Sequence, residues 1–483
     1  MPLDPQVTFN HYLELPESQR FLAQIFALLY EPASKDKVRS CWITAMAQQD
    51  SFERMRPPDP KDFKVQVRQL ADLDSLVPLQ GLGMACNENV IDLIARDAVR
   101  MATLEPIADA IAQRFPISER FPGGPPFFRN EAQFMREVRI AIYREDLAAL
   151  KELFKHVKSV YWRSAISIED AVRTVLTHPF DIDWLDGLSD EFFELGVASI
   201  LQYSLMNCEP ADAVFELLED YCKNGRVGAK LHLMYAEQLW LRGRFEDARS
   251  VLQATKFAPM MERKAEALWG AIAFLTGDIS GALTHYKSSI KLAGKNKAAQ
   301  MLWFQYPATV LYFFTLLAEG STDSLSQAEK YVLLIQRQES HWLKPSMPLL
   351  FSVLQQQQGK FTEGAHRFSQ YPLKTIGLLA VLEIYSLYWL QVDAIEEWVD
   401  LQLPWLCQRT KKSGYAWLTL ATAQLLVNYQ PKSPFAKQVK TLQEKINSID
   451  LLTVVEQKED WERSLDVLTA LTTPPAEAAR TPS

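Results

Sequence analysis

A spacing of 34 residues constrains this chain more than any other feature. Ala236, Gly243, Phe245, Ala248 and Leu252 are followed, 34 positions on, by Gly270, Gly277, Ile279, Ala282 and Tyr286. Small residues recur as small, and large apolar residues as large. Self-similarity at a fixed period of this size marks stacked supersecondary units. Small residues let two antiparallel helices approach closely. A glycine ends the first helix in a left-handed conformation that side chains resist. Large apolar residues fill the space between helices. One such unit cannot bury its apolar face alone, so units stack on one another.

The segments Tyr235-Ala236…Gly243-Arg244-Phe245…Ala248 and Trp269-Gly270…Gly277-Asp278-Ile279…Ala282 resemble the tetratricopeptide repeat (TPR), a helix-turn-helix unit of this same length. The resemblance covers Lys230 to Leu292 well and the rest of Asn130 to Leu471 loosely. A degenerate copy falls at Gly359-Lys360-Phe361 with Phe351 and Phe368, and departs from the pattern at Gln355. Ala328 with Tyr331 marks a divergent copy, and Ile140, Leu147, Leu150 and Phe154 form a helical pair of similar texture. The resemblance implies a superhelix whose concave wall is lined by the first helix of each unit. Its groove positions map to Lys230, Leu233, Glu237 and Trp240 in the first good copy. In the second they map to Lys264, Ala267, Ala271 and Phe274. Trp240 and Phe274 are the expected peptide contacts, because aromatic residues dominate interface hot spots. Packing between helices is the competing role for both.

The N-terminal region has a different texture. Phe21, Leu22, Ile25, Phe26 and Leu29 place a helix between Pro16 and Tyr30. Ser34 caps a second helix that runs through Trp42 and Met46. Asp50 to Lys61, with Pro57, Pro58 and Pro60, reads as a loop. A third helix is expected over Phe63 to Leu73, then two short strands around Gly81. A further helix begins near Asn87 or Asn89. Three helices, a hairpin and a helix form the pattern of a winged helix. In a DNA-reading winged helix, the third helix would present Lys64 and Arg68 to the major groove. Lys35, Lys37, Arg39, Arg54, Arg56 and Lys61 add positive charge, but Asp59, Asp62, Asp72 and Asp74 repel phosphate.

The fold class that follows is mostly α: an N-terminal winged-helix-like domain (1–114), a Pro- and Gly-rich linker (115–130), a TPR-like α-solenoid (131–471) and a disordered tail (472–483). Apolar residues make up 48% of the chain and charged residues 23%, the composition of a globular protein. A net charge of −8 excludes a chain-wide polyanion binder. The five cysteines are odd in number and lack C-x-x-C spacing, which points to buried free thiols in a reducing compartment. The first residues lack a signal-peptide pattern and no apolar run spans a bilayer, so a cytoplasmic location and no membrane are expected.

Catalytic, metal and cofactor motifs are not found. Asp181 to Gly187 carries an EF-hand-like run of acids, but its third carboxylate and its Gly each come one residue late, so Asp181 is better read as a helix cap. Gly81-Leu82-Gly83 lacks the third glycine of a dinucleotide fingerprint, and Gly359-Lys360 is followed by Phe361 rather than Ser or Thr. The seven histidines are scattered.

A winged helix followed by helical repeats is similar to the C-terminal half of signal-transduction ATPases of the transcription-activator kind, in which the repeats sense an inducer or partner protein. Gln24-Ile25-Phe26-Ala27-Leu28-Leu29-Tyr30-Glu31-Pro32 and Asp460-Trp461-Glu462-Arg463-Ser464-Leu465, with the Pro-rich tail, resemble the N-terminal accessory region of large bacterial Swi/Snf-type helicases. The expectation is a non-enzymatic scaffold with a protein or peptide partner. The alternative is an accessory module of a DNA helicase, or a transcription-regulator module, that contacts nucleic acid through its N-terminal domain.

Overall fold

The structure, a computed structural model, describes residues 5–47, 59–119, 126–157, 166–207, 209–225, 227–294, 306–337, and 350, 351 and 354. About 75% of the described residues are helical. The expectation of a mostly α chain therefore holds. The degenerate copy around Gly359, the tail, Arg54, Arg56, Cys208 and Cys407 lie outside the described residues. The chain divides into two compact units, Met1–Ile200 and Leu201–Ser483.

The first unit opens with α1 (Pro5–Leu13), a helix that the sequence pattern had not indicated, then α2 (Glu17–Leu29) and α3 (Lys35–Met46). Phe21, Leu22, Ile25 and Phe26 are fully buried, so α2 forms the centre of this core. The next helix, α4 (Pro60–Asp72), starts inside the stretch expected to be loop. Asp59 explains the early start. Its carboxylate accepts the N–H groups of Lys61 (2.8 Å) and Asp62 (2.9 Å). Pro60 then occupies the first helical position, where its missing N–H costs nothing.

Strands β1 (Leu76–Leu79) and β2 (Gly83–Cys86) form the expected hairpin, in the register Leu76↔Cys86 to Leu79↔Gly83 around left-handed Gly81. Ala33, between α2 and α3, bridges to Met84 on the free edge of β2. A side chain at position 83 would put a Cβ 2.3 Å from the Ala33 carbonyl oxygen, so only glycine admits this bridge. Helix α5 (Ile91–Arg100) begins later than Asn87. Asn87 instead ties the strand exit down. Its amide donates to the Asp74 carbonyl (2.8 Å) and its oxygen accepts from the Asn89 N–H (3.1 Å).

After α6 (Leu104–Arg114), Ser118–Glu119 (β3) pairs with Pro126–Phe127 (β4). The first unit continues through this Pro- and Gly-rich stretch into α7 (Glu131–Tyr143). Buried ion pairs hold α7 in place. Arg136 reaches Glu31 (3.0 Å) and the Phe115 carbonyl (2.9 Å), and Arg139 pairs with Asp92 on α5. A second buried network joins α1, α2 and α5. Asp97 accepts from Tyr12 (2.5 Å), Arg20 (2.7 Å) and Gln24 (2.9 Å). Helices α8 (Leu147–Val157), α9 (Ile168–Thr177) and α10 (Ile182–Asp186) follow. Asp181 caps α10 by accepting the Trp184 N–H at 3.1 Å, the cap role expected in place of calcium. The division between units falls within α11 (Asp190–Asn207).

The second unit contains α12 (Asp212–Lys223), α13 (Ala229–Leu241), α14 (Phe245–Ala254), α15 (Pro259–Leu275), α16 (Ile279–Ala293), α17 (Val310–Glu319) and α18 (Thr322–Gln336). Each packs on its neighbour in sequence, and α13 also packs on α15. Both copies of the 34-residue unit end their first helix with the same device. Gly243 and Gly277 take φ of 77° and 83°. Their N–H groups bond to the carbonyls of Trp240 and Phe274 (3.0 Å each). The next N–H, of Arg244 or Asp278, reaches back five residues to Leu239 (2.8 Å) or Ala273 (2.9 Å). This Schellman pair satisfies carbonyls that the helix end leaves open. Ala236, Ala248 and Ala282 are fully buried, and a Cβ on Gly270 would meet the Tyr286 ring at 3.0 Å. The small residues thus sit where helices come closest.

Candidate functional site

The residues expected to line a groove divide into a buried set and a more exposed set. Trp240, Phe274, Ala267 and Ala271 are fully buried, and Leu233 nearly so. Trp240 and Phe274 therefore lie within the packing of the unit and offer no surface to a peptide. Lys230 at the start of α13 and Lys264 on α15 are exposed. They hold equivalent positions in the two copies, so they mark successive points along one face.

Glu237 lies between these two levels. The residue as a whole is partly exposed, yet its Oε1 is buried and accepts no hydrogen bond. Burial raises the Glu237 pKa to about 7, with partial relief from the positive charge of Lys264. Tyr306, just before the short 3-10 turn Pro307–Thr309 that leads into α17, completes the group. Its hydroxyl is buried without a hydrogen-bond partner. Burial, then the Glu237 and Tyr286 charges, push the phenol well above its usual pKa. The Lys264 ammonium lies 5.5 Å from the centre of the Tyr306 ring. Two helices, α13 and α15, and the segment before α17 thus supply a carboxyl, an ammonium and a phenol to one region. Two polar atoms in that group lack partners, and each such atom costs about 1–3 kcal/mol when nothing fills the gap. Tyr306 falls outside the 34-residue register and carries no motif, so the sequence had no signal for it.

In the first unit, Lys64 and Arg68 are exposed on α4, while Phe63, Val67 and Leu70 face the core. Lys61 shares the exposed side, as do Asp62 and Asp72. Val65 is 51% exposed between them. The neighbouring hairpin, Leu76 to Cys86, contains no Lys or Arg, and its tip exposes Leu82 (65%).

Cys41, Cys86 and Cys222 are buried free thiols. Burial raises all three, Cys41 and Cys222 to about 12, which removes the thiolate needed for nucleophilic or redox chemistry. Among the described residues, no group of three His, Cys, Asp or Glu side chains could hold a metal ion. Among them too, no helix is long and apolar enough to cross a membrane.

No protein-family model, curated protein or solved structure matches this chain.

Proposed function

We propose that this chain is a non-enzymatic scaffold. A TPR-type helical stack binds a protein partner along the face that carries Lys230, Glu237 and Lys264, and a winged-helix-type module precedes it. The observation that carries this reading is the recurrence of one complete device. Two consecutive helix pairs share a left-handed glycine, a Schellman pair of bonds and buried small residues, all 34 positions apart. Stacks of this kind present extended faces suited to partner binding. The winged-helix reading is supported by the order of α2, α3, α4 and the hairpin, with Ala33 bridging to the second strand.

Affinity purification of the intact chain from its host, with and without nuclease, tests the proposal. Protein partners that survive nuclease treatment support it. Partners that all depart with nuclease contradict it.

The exposed Lys61, Lys64 and Arg68 on α4 favour a second reading, in which the module contacts nucleic acid as part of a bacterial Swi/Snf-type helicase or a transcription regulator. Acidic neighbours and an uncharged, apolar hairpin tip weigh against it, because backbone phosphates are held by cations. Under this reading duplex binding weakens steeply with salt, and Lys64→Ala with Arg68→Ala flattens that slope.

A further inference from the structure

We infer that α4 is a self-association face: two copies of this chain meet through antiparallel α4 helices, related by a two-fold axis between Gln66 and Val67. This contact lies in the first unit and does not depend on the partner face proposed for α13 and α15. Lys61, Val65, Arg68 and Asp72 fall within about 60° of one another around the helix, so they form one stripe. All four are exposed, while Phe63, Val67 and Leu70 on the opposite side are buried in the core.

The charges at the two ends of this stripe run against the helix dipole. A helix favours acids in its first turn and bases in its last. Lys61 stands in the first turn of α4, where Asp59 and Asp62 offset it. Asp72 stands in the last turn, beside open carbonyls, and that turn carries no basic residue. Among the described residues, neither the Lys61 nor the Asp72 side chain has an ion-pair or hydrogen-bond partner.

An antiparallel second copy supplies the missing cation. The axis lies midway between positions 61 and 72, and also midway between 65 and 68. It therefore sets Lys61 of each copy opposite Asp72 of the other, and Val65 opposite Arg68, as a self-complementary contact requires. Each Arg68 lays its apolar stem over the facing Val65 and keeps its guanidinium in water. One helix stripe is small for a lasting dimer. The hairpin packed beside α4 enlarges the face, because Val77, Leu79 and Leu82 are exposed and the hairpin carries no charge of its own. A nucleic-acid backbone would be repelled by Asp72 on this same stripe, whereas a second copy uses it.

Sedimentation velocity on the nuclease-treated intact chain, over a range of concentrations, tests the inference by exchange of charge. The parent should dimerise, and more weakly as salt rises. Lys61→Asp alone, or Asp72→Lys alone, turns both ion pairs into repulsions and should weaken the dimer about 10-fold. The double variant Lys61→Asp with Asp72→Lys restores both pairs and should restore the dimer. Each exchange puts the charge that the dipole favours at its end of α4, so the folding of the variants is not endangered. Val65→Asp should weaken the dimer with no rescue by the exchanged pair. A parent that stays monomeric at every concentration overturns the inference. So does a dimer that ignores the single exchanges, or one that the double exchange fails to restore. Self-association that appears only with nucleic acid present also overturns it, in favour of bridging by the nucleic acid.

Discussion

Left-handed residues are the sharpest local signatures in this fold, and glycine supplies some of them but not all. Gly243 and Gly277 occupy such positions without strain. Asp74, Ala102 and Glu145 take φ of 59°, 54° and 53° at helix ends with the same back-reaching bonds. The left-handed region costs an L-residue about 1–2 kcal/mol. Ala102→Gly should therefore stabilise the first unit by about 0.5–1 kcal/mol, less than the full strain because glycine loses more entropy on folding. Gly277→Ala should cost about 1 kcal/mol. Thermal melting reads both. The two glycines were legible in the sequence from their period, whereas Ala102 was not, because nothing about an alanine announces an αL conformation.

Glu237 gives a second residue-scale prediction. Its folded pKa, about 7, is raised above the ordinary 4.5, so the folded chain holds this proton more tightly than the unfolded one. Stability therefore falls as pH rises from 4.5 to 7 and levels off above 7. Glu237→Gln removes that loss. The variant should gain on the order of 1–3 kcal/mol over the parent at pH 8, with the gain vanishing below pH 4.5. Denaturant unfolding at the two pH values measures the difference, and an equal gain at both would contradict the raised pKa.

At the scale of elements, the N-terminal hairpin and the helix stack were read with unequal success, for a physical reason. Helix faces follow from apolar spacing, so α2, α3 and α13 to α16 were visible in the sequence. Helix starts depend on single capping side chains and were missed at Pro60 and Ile91. The bridge between Ala33 and Met84 joins residues far apart in sequence, so no local pattern could show it. Gly83→Ala tests that bridge. The added Cβ cannot avoid the Ala33 carbonyl, and the variant should lose on the order of 1–3 kcal/mol. Unchanged melting would show that the edge pairing contributes nothing. The eight residues expected to line a groove differ in exposure. Lys230 and Lys264 are exposed, whereas Trp240 and Phe274 are buried, because an aromatic at helical spacing serves the core as readily as a surface.

For the molecule as a whole, buried charge decides what belongs to the first unit. The Pro- and Gly-rich stretch at 115–130 has the composition of a linker, yet α7 beyond it is tied back by Arg136 to Glu31 and by Arg139 to Asp92. Composition reports local chain preference and says nothing of such distant pairs. Asp92 also accepts from the Tyr143 hydroxyl, so its loss strands two buried donors. Asp92→Ala should cost about 3–5 kcal/mol, and α7 should lose hydrogen-exchange protection together with α5. Independent exchange of the two helices would show that α7 is not part of that core.

The scaffold proposal stands or falls on a protein partner held at the α13–α15 face. Lysine-reactive cross-linking of the intact chain in host extract, with and without nuclease treatment, read by mass spectrometry, addresses this, because Lys230 and Lys264 are exposed amines on that face. Partner cross-links concentrated at Lys230 and Lys264, and unaffected by nuclease, are expected. Cross-links confined to Lys61 and Lys64, and present only when nucleic acid is left intact, would contradict it.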